Sequence, residues 1–76
     1  MEMEKHYLSR EKYSELIKEL DDLKKNKRRE IAERLEFAKS LGDLSENAEY
    51  QAAREEQADM EDRILQLENI LKISEI

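Results

Sequence analysis

Asp43 and Glu46 stand three residues apart beside the one glycine of the chain, Gly42, in the segment Leu41-Gly42-Asp43-Leu44-Ser45-Glu46-Asn47-Ala48-Glu49-Tyr50. Two carboxylates at a bend offer hard oxygen donors. Mg²⁺ takes such donors in small numbers, keeping waters and drawing its other ligands from a phosphate or a second site. Two acids are too few to hold the ion tightly, so any chemistry at this bend is shared with whatever it is presented to. The same letters also suit a structural role. Asp43 at an N-cap with Glu46 three residues on forms an Asp version of the capping box, each side chain bonding a backbone amide that the helix leaves orphaned. Ser45 is an alternative cap that would release Asp43 from that duty. Caps open many helices, so spacing alone favours the cap and does not establish a ligand pair.

The elements that position this bend follow from composition. The chain has 76 residues, enough for one small domain (1–76) and too few to enclose a conventional catalytic cavity. Leu, Ile, Met and Phe supply 20 positions while Val, Thr, Cys, Trp and Pro are absent, which leaves little for β structure and much for helix. Charged residues reach 45% with a net charge of -6, the balance of a coiled coil or a marginally folded chain. Without cysteine there is no disulfide framework, thiolate metal site or cysteine nucleophile. Five apolar residues never follow one another, so a signal peptide or membrane span is not indicated and a cytoplasmic, membrane-free protein is expected.

Gly42 is the one strong backbone breaker and divides two helix-compatible halves. The first runs from about 10 to 41, with Ser9 as cap and an apolar stripe at Tyr13, Leu16, Ile17, Leu20, Leu23, Ile31, Leu35, Ala38 and Leu41. The stripe is displaced across Lys24-Lys25-Asn26-Lys27-Arg28-Arg29, as a stutter in a heptad pattern would displace it. The second, from about 46 to 73 after a tip at 42–45, repeats cleanly at Tyr50, Ala53, Gln57, Met60, Ile64, Leu67 and Leu71, the alternating threes and fours of a two-stranded seam. Folding about Gly42 faces residues whose numbers sum to roughly 84 to 87, pairing Ile31 with Ala53, Leu20 with Ile64 or Leu67, Leu16 with Leu71, and Lys27 with Gln57. The expected fold is all-α, an antiparallel two-helix coiled-coil hairpin whose arms reach roughly 45 Å.

Residues 1–42 hold 11 Lys and Arg against 10 Asp and Glu, whereas 43–76 hold 3 against 10. Fold-back sets Lys24, Lys25, Arg28 and Arg29 beside Glu55, Glu56, Asp59, Glu61 and Asp62, so pairing between the arms is the plainer role for this basic run. Contact with nucleic-acid phosphate or a partner is the functional role, and it needs the basic heads to project away from those acids. His6 is solitary near a chain end, which argues against a metal or catalytic role. Tyr50 and Met60 suit packing, and Tyr7 with Leu8 is expected to tuck near Ile73 and Ile76.

The segment LGDLSENAEYQAAREEQ, Leu41 to Gln57, closely resembles the tip signature of the Gre family of bacterial transcript-cleavage factors, its GreA branch in particular. In looser form the likeness covers nearly the whole chain, with YLSREKYSELIKELDDLKKNKRREIAERLEFAKS similar to the family's first arm. The resemblance implies a coiled coil that enters the secondary channel of RNA polymerase and places an acidic tip at the polymerase active site. Asp43 and Glu46 match the family's two key acids, which are held to share the second catalytic Mg²⁺ and position a water. The polymerase's own centre then cleaves the 3′ end of backtracked RNA, so the factor stimulates and is not itself the enzyme. The resemblance puts Lys39 and Arg54 near RNA phosphate or polymerase acids and likens the run containing Lys24, Lys25, Arg28 and Arg29 to the family's basic patch. Lys39 stands where arginine is common, and lysine lacks arginine's two-pronged donor. The family's C-terminal FKBP-like domain is absent from these 76 residues, which implies an isolated domain or a shortened family member with weaker polymerase affinity. Divergent paralogues of this fold inhibit polymerase, and the intact acids favour stimulation. The rival to this role is a structural adaptor or oligomerisation module in which the acids are caps. A thin hairpin core leaves self-association open.

Overall fold

In the computed structural model, which describes residues 6–43 and 46–75, the chain is an all-α helical hairpin. The elements are a two-residue strand β1 (His6–Tyr7), helix α1 (Arg10–Asp22), a π-helical turn (Leu23–Lys27), helix α2 (Arg28–Ser40), helix α3 (Ala48–Ile73) and a second two-residue strand β2 (Ser74–Glu75). Backbone angles stay helical through the junctions at Asp22, Lys27 and Arg28, so α1, the π-turn and α2 make one continuous arm. The molecule measures 49 × 28 × 12 Å with a radius of gyration of 16.5 Å. A compact chain of this length would have a radius near 11 Å, so this is a rod.

Helix α1 starts where the sequence signals it. The Ser9 hydroxyl accepts from the Lys12 amide at 3.0 Å, and Glu11 lies in the first turn, favourable beside the positive end of the helix. Along the arm, seam positions 13, 16, 20, 23, 27, 31, 35 and 38 step by threes and fours, with consecutive fours around Lys27 that add one residue to strict alternation. The π-turn absorbs it: the Arg28 amide donates to the Leu23 carbonyl, five residues back. An extra residue left in α-helix would swing the later stripe by about 100° away from α3.

The core is a single seam, with Leu16, Ile31 and Ala38 of the first arm and Ala53, Met60, Ile64 and Leu67 of α3 buried. Ile31, Met60 and Ile64 form one cluster, against which Leu20, Leu23 and Leu35 pack. Ile31 thus sits with residues further along α3 than Ala53, its expected partner. The reason lies in the turn. Because α2 ends at Ser40 and α3 begins at Ala48, facing residues sum to about 88, more than a fold at Gly42 gives. Ile17 and Leu41 of the expected stripe are exposed, at 44% and 56%.

Ion pairs flank the seam. Arg28 grips Glu61 with two bonds of 2.8 and 2.7 Å, and Arg63 grips Glu19 at 2.6 and 2.9 Å. Lys24 meets Glu68 at 3.1 Å, and Glu56 receives Lys27 at 3.4 Å together with Arg34. Lys27 was expected to face Gln57 and instead meets the neighbouring Glu56, while Gln57 accepts from Arg54 at 3.0 Å. Arg63's hydrogen bonds hold the Glu19 carboxyl below the usual carboxylate range. Arg34 and Lys27 do the same to Glu56, and Arg28 to Glu61. Because Glu19 is more acidic folded than unfolded, its contribution is full above the unfolded pKa of about 4.3 and fades as pH falls through the lower folded value. Glu19→Gln is therefore expected to lower stability at pH 7 by no more than about 1 kcal/mol, solvent screening this exposed pair. At about pH 2 the variant should match its parent, and thermal melts at both pH values check this.

At the open end β1 and β2 pair in parallel, His6 with Ser74 and Tyr7 with Glu75, tying the two chain ends together. Tyr7 is 75% exposed and does not tuck against the second arm, because pairing with β2 engages its backbone and leaves the ring in solvent. Ile76, its other expected neighbour, lies outside the described residues. Among the described residues no helix is long and apolar enough to cross a membrane.

Candidate functional site

The bend begins as the glycine predicts. The Leu41 and Gly42 amides donate to the Ala38 and Lys39 carbonyls at 3.1 and 3.3 Å, tightening the last turn of α2. Gly42 has φ +117°, so although a Cβ there would meet no neighbour within 4 Å, any L side chain would be strained.

Helix α3 is capped by Asn47, whose Oδ1 accepts from the Tyr50 amide at 3.1 Å. The helix starts at Ala48, two residues later than its expected start at about 46. The N-cap of α3 is thus Asn47 and not Asp43 or Glu46, which both precede it and are both exposed. Ser45, the other candidate cap, lies outside the described residues. Asn47 wins because its amide does a second thing that no carboxylate can do, donating from Nδ2 to the Ala38 carbonyl across the hairpin at 2.6 Å. Asn47 is half-buried and Ala38 fully buried, so one amide ties the end of α2 to the start of α3. Sequence reasoning missed it, although an Asn directly before the periodic run at Tyr50 is itself an N-cap signal.

Asp43 and Glu46 thus present carboxylates on the apex of the rod. Among the described residues no group of three His, Cys, Asp or Glu stands close enough to hold a metal ion. Hard oxygens on two exposed acids fit a share in a Mg²⁺ ion whose remaining ligands another molecule supplies. Lys39, in the last turn of α2, is exposed. Arg54 is exposed nearly two turns into α3, where its guanidinium meets Gln57.

The basic run lies along the rod well below the apex and divides in two. Lys24 and Arg28 reach across to Glu68 and Glu61. Lys25 pairs with Asp21 of its own arm at 3.1 Å, and Arg29 is exposed with no ion pair to another described residue. The expected neighbours Glu55, Asp59 and Asp62 carry no ion pair with the run. Lys25 and Arg29 keep their heads on the outer surface. Two further apolar side chains lie one turn apart near the apex, Phe37 at 65% and Leu41 at 56% exposure.

The described residues thus form an open rod with its core in one seam and two exposed acids at the apex. The family described as transcription elongation factor, N-terminal (GreA_GreB_N) matches residues 6–76. The chain belongs to this family. It is 53% identical over 73 residues to transcription elongation factor GreA of Chloroherpeton thalassium, covering 96% of this chain and 46% of that protein. The GreA proteins of Clostridioides difficile and Thermotoga maritima are 53% and 51% identical, over 95% and 97% of this chain. The chain spans about half the length of these curated relatives, 46% and 47% of the last two.

Proposed function

We propose that this hairpin enters the secondary channel of RNA polymerase and stimulates the polymerase's own cleavage of backtracked RNA, with Asp43 and Glu46 delivered to the polymerase active site. The observation that carries this is the exposure of both acids at the apex of a 49 Å rod whose second arm is capped by Asn47. The chain is not the enzyme, since it contributes two carboxylates to a centre that the polymerase owns. Mg²⁺ held there would supply a Lewis acid for the scissile phosphate and a more acidic bound water. Asp43 and Glu46 would hold that ion in part and orient the water. Lys39 and Arg54, both exposed, would meet RNA phosphate at the 3′ end, and Lys25 and Arg29, which make no ion pair to the second arm, would meet a partner. Membership in an elongation-factor family supports the polymerase as that partner.

The test is a stalled, backtracked bacterial polymerase with labelled RNA and Mg²⁺, to which the chain is added at high concentration. Accelerated release of short 3′-terminal RNA is the expected result. Binding without acceleration would identify an inhibitor of the same shape, and no binding would reduce the rod to an adaptor.

A further inference from the structure

We propose that Phe37 and Leu41 are an apolar anchor by which the tip of the hairpin docks into an apolar pocket with a basic rim on RNA polymerase; this rests on the function proposed above. The two side chains stand one turn apart at the end of α2 and are 65% and 56% exposed. Neither is buried in the seam. At about 100° per residue they lie about 100° and 60° round the helix from the buried Ala38, both to the same side, so they form one outward stripe beside the apex. Aromatic side chains seated in desolvated pockets are what carries affinity in protein interfaces.

What borders the stripe selects its occupant. Arg34, one turn earlier on the same side, reaches Glu56 of α3, where its charge is met. Glu30 and Glu33, within two turns of Phe37, are exposed and make no ion pair with another described residue. The patch is thus apolar with an acidic border, and a pocket with a basic rim complements it. A second copy of the chain does not. In a two-fold contact the patch would meet itself, setting Glu30 and Glu33 against their own copies. The patch is also too small, since an aromatic side chain buries about 150–250 Å² and a stable interface takes about 800 Å² from each partner. Two side chains suffice as an anchor within a surface already engaged, and the polymerase that receives the apex supplies that surface. Contacts at Phe37 and Leu41 are the same before and during cleavage, so they set affinity, whereas Asp43 and Glu46 act on rate.

The experiment measures binding of the whole chain, fluorescently labelled at its N-terminus, to bacterial core polymerase by anisotropy, beside stimulated cleavage over a range of chain concentrations. Phe37→Ala is the main variant. The site is exposed and alanine is the better helix former, so the variant should fold, which a thermal melt checks. Its Kd for polymerase should rise about 10-fold, while the maximal cleavage rate at saturation stays within about twofold. Phe37→Leu should keep Kd within about threefold, and Glu33→Lys should raise it about threefold or more against a basic rim. An unchanged Kd in Phe37→Ala, or an unchanged or tighter one in Glu33→Lys, overturns the proposal. So does a parent that dimerises in sedimentation equilibrium when Phe37→Ala stays monomeric, because a second copy is then the occupant. If the parent binds polymerase without stimulating cleavage, the proposed function falls and anisotropy still decides the anchor; if the parent does not bind, both fall.

Discussion

Replacing Asp43 by Asn together with Glu46 by Gln is expected to lower the maximal rate of stimulated RNA cleavage by about 100-fold, the cost of removing a preorganised charged group from a reacting centre. The hairpin should meanwhile lose no more than about 1 kcal/mol of stability. The contrast follows from who caps α3. Because Asn47 bonds the Tyr50 amide, the N-cap of α3 does not depend on either acid, and their amides leave that bond intact. The double variant gives up, among other things, the attraction of Glu46 for the positive end of α3, a matter of about 0.3–1 kcal/mol at an exposed site. Amides keep the size and polarity of the acids and remove the negative charge a hard cation needs. Single-turnover cleavage at saturating chain, with a thermal melt of each protein, checks both halves. Equal rates from parent and double variant would show that the charge of the apex plays no part.

Ile64→Ala is expected to leave the chain largely unfolded at 37 °C. Stability for a chain of 76 residues is of the order of 4–11 kcal/mol, and a thin seam belongs at the low end. Ile64 is 2% exposed and belongs to the central cluster with Ile31 and Met60. Truncating it removes transferred apolar surface and leaves a cavity, together about 2–5 kcal/mol, comparable to the whole. Leu65→Ala, one residue along the same helix at 65% exposure, should cost less than about 0.5 kcal/mol. Ellipticity at 222 nm against temperature separates them, and similar melting of the two variants would show that the seam is not what holds the hairpin together.

The second arm was legible because one period runs through it uninterrupted, and its expected seam residues Ala53, Met60, Ile64 and Leu67 are all buried. In the first arm the displaced stripe was visible as letters, but whether one extra residue becomes a kink, a bulge or a π-turn depends on the facing helix. The exposure of Ile17 and Leu41 has the same origin, since a stripe wider than the partner leaves its margins in water. At the bend, Asp43, Ser45 and Asn47 each suit an N-cap locally. The choice fell to Asn47 through a bond to Ala38, nine residues away in sequence, which no local pattern contains. The pairing of β1 with β2 was illegible because it joins opposite ends of the chain over two residues each.

The π-turn has a consequence for how such a rod can change length. By absorbing one residue it keeps the outer and inner halves of the first arm at a common azimuth about the long axis, so the apex faces a fixed compass direction relative to the base. Reach is then adjustable only in quanta. Adding a heptad to both arms advances the apex by about 10 Å without turning it, whereas adding any smaller number of residues rotates the apex unless another such turn takes up the difference.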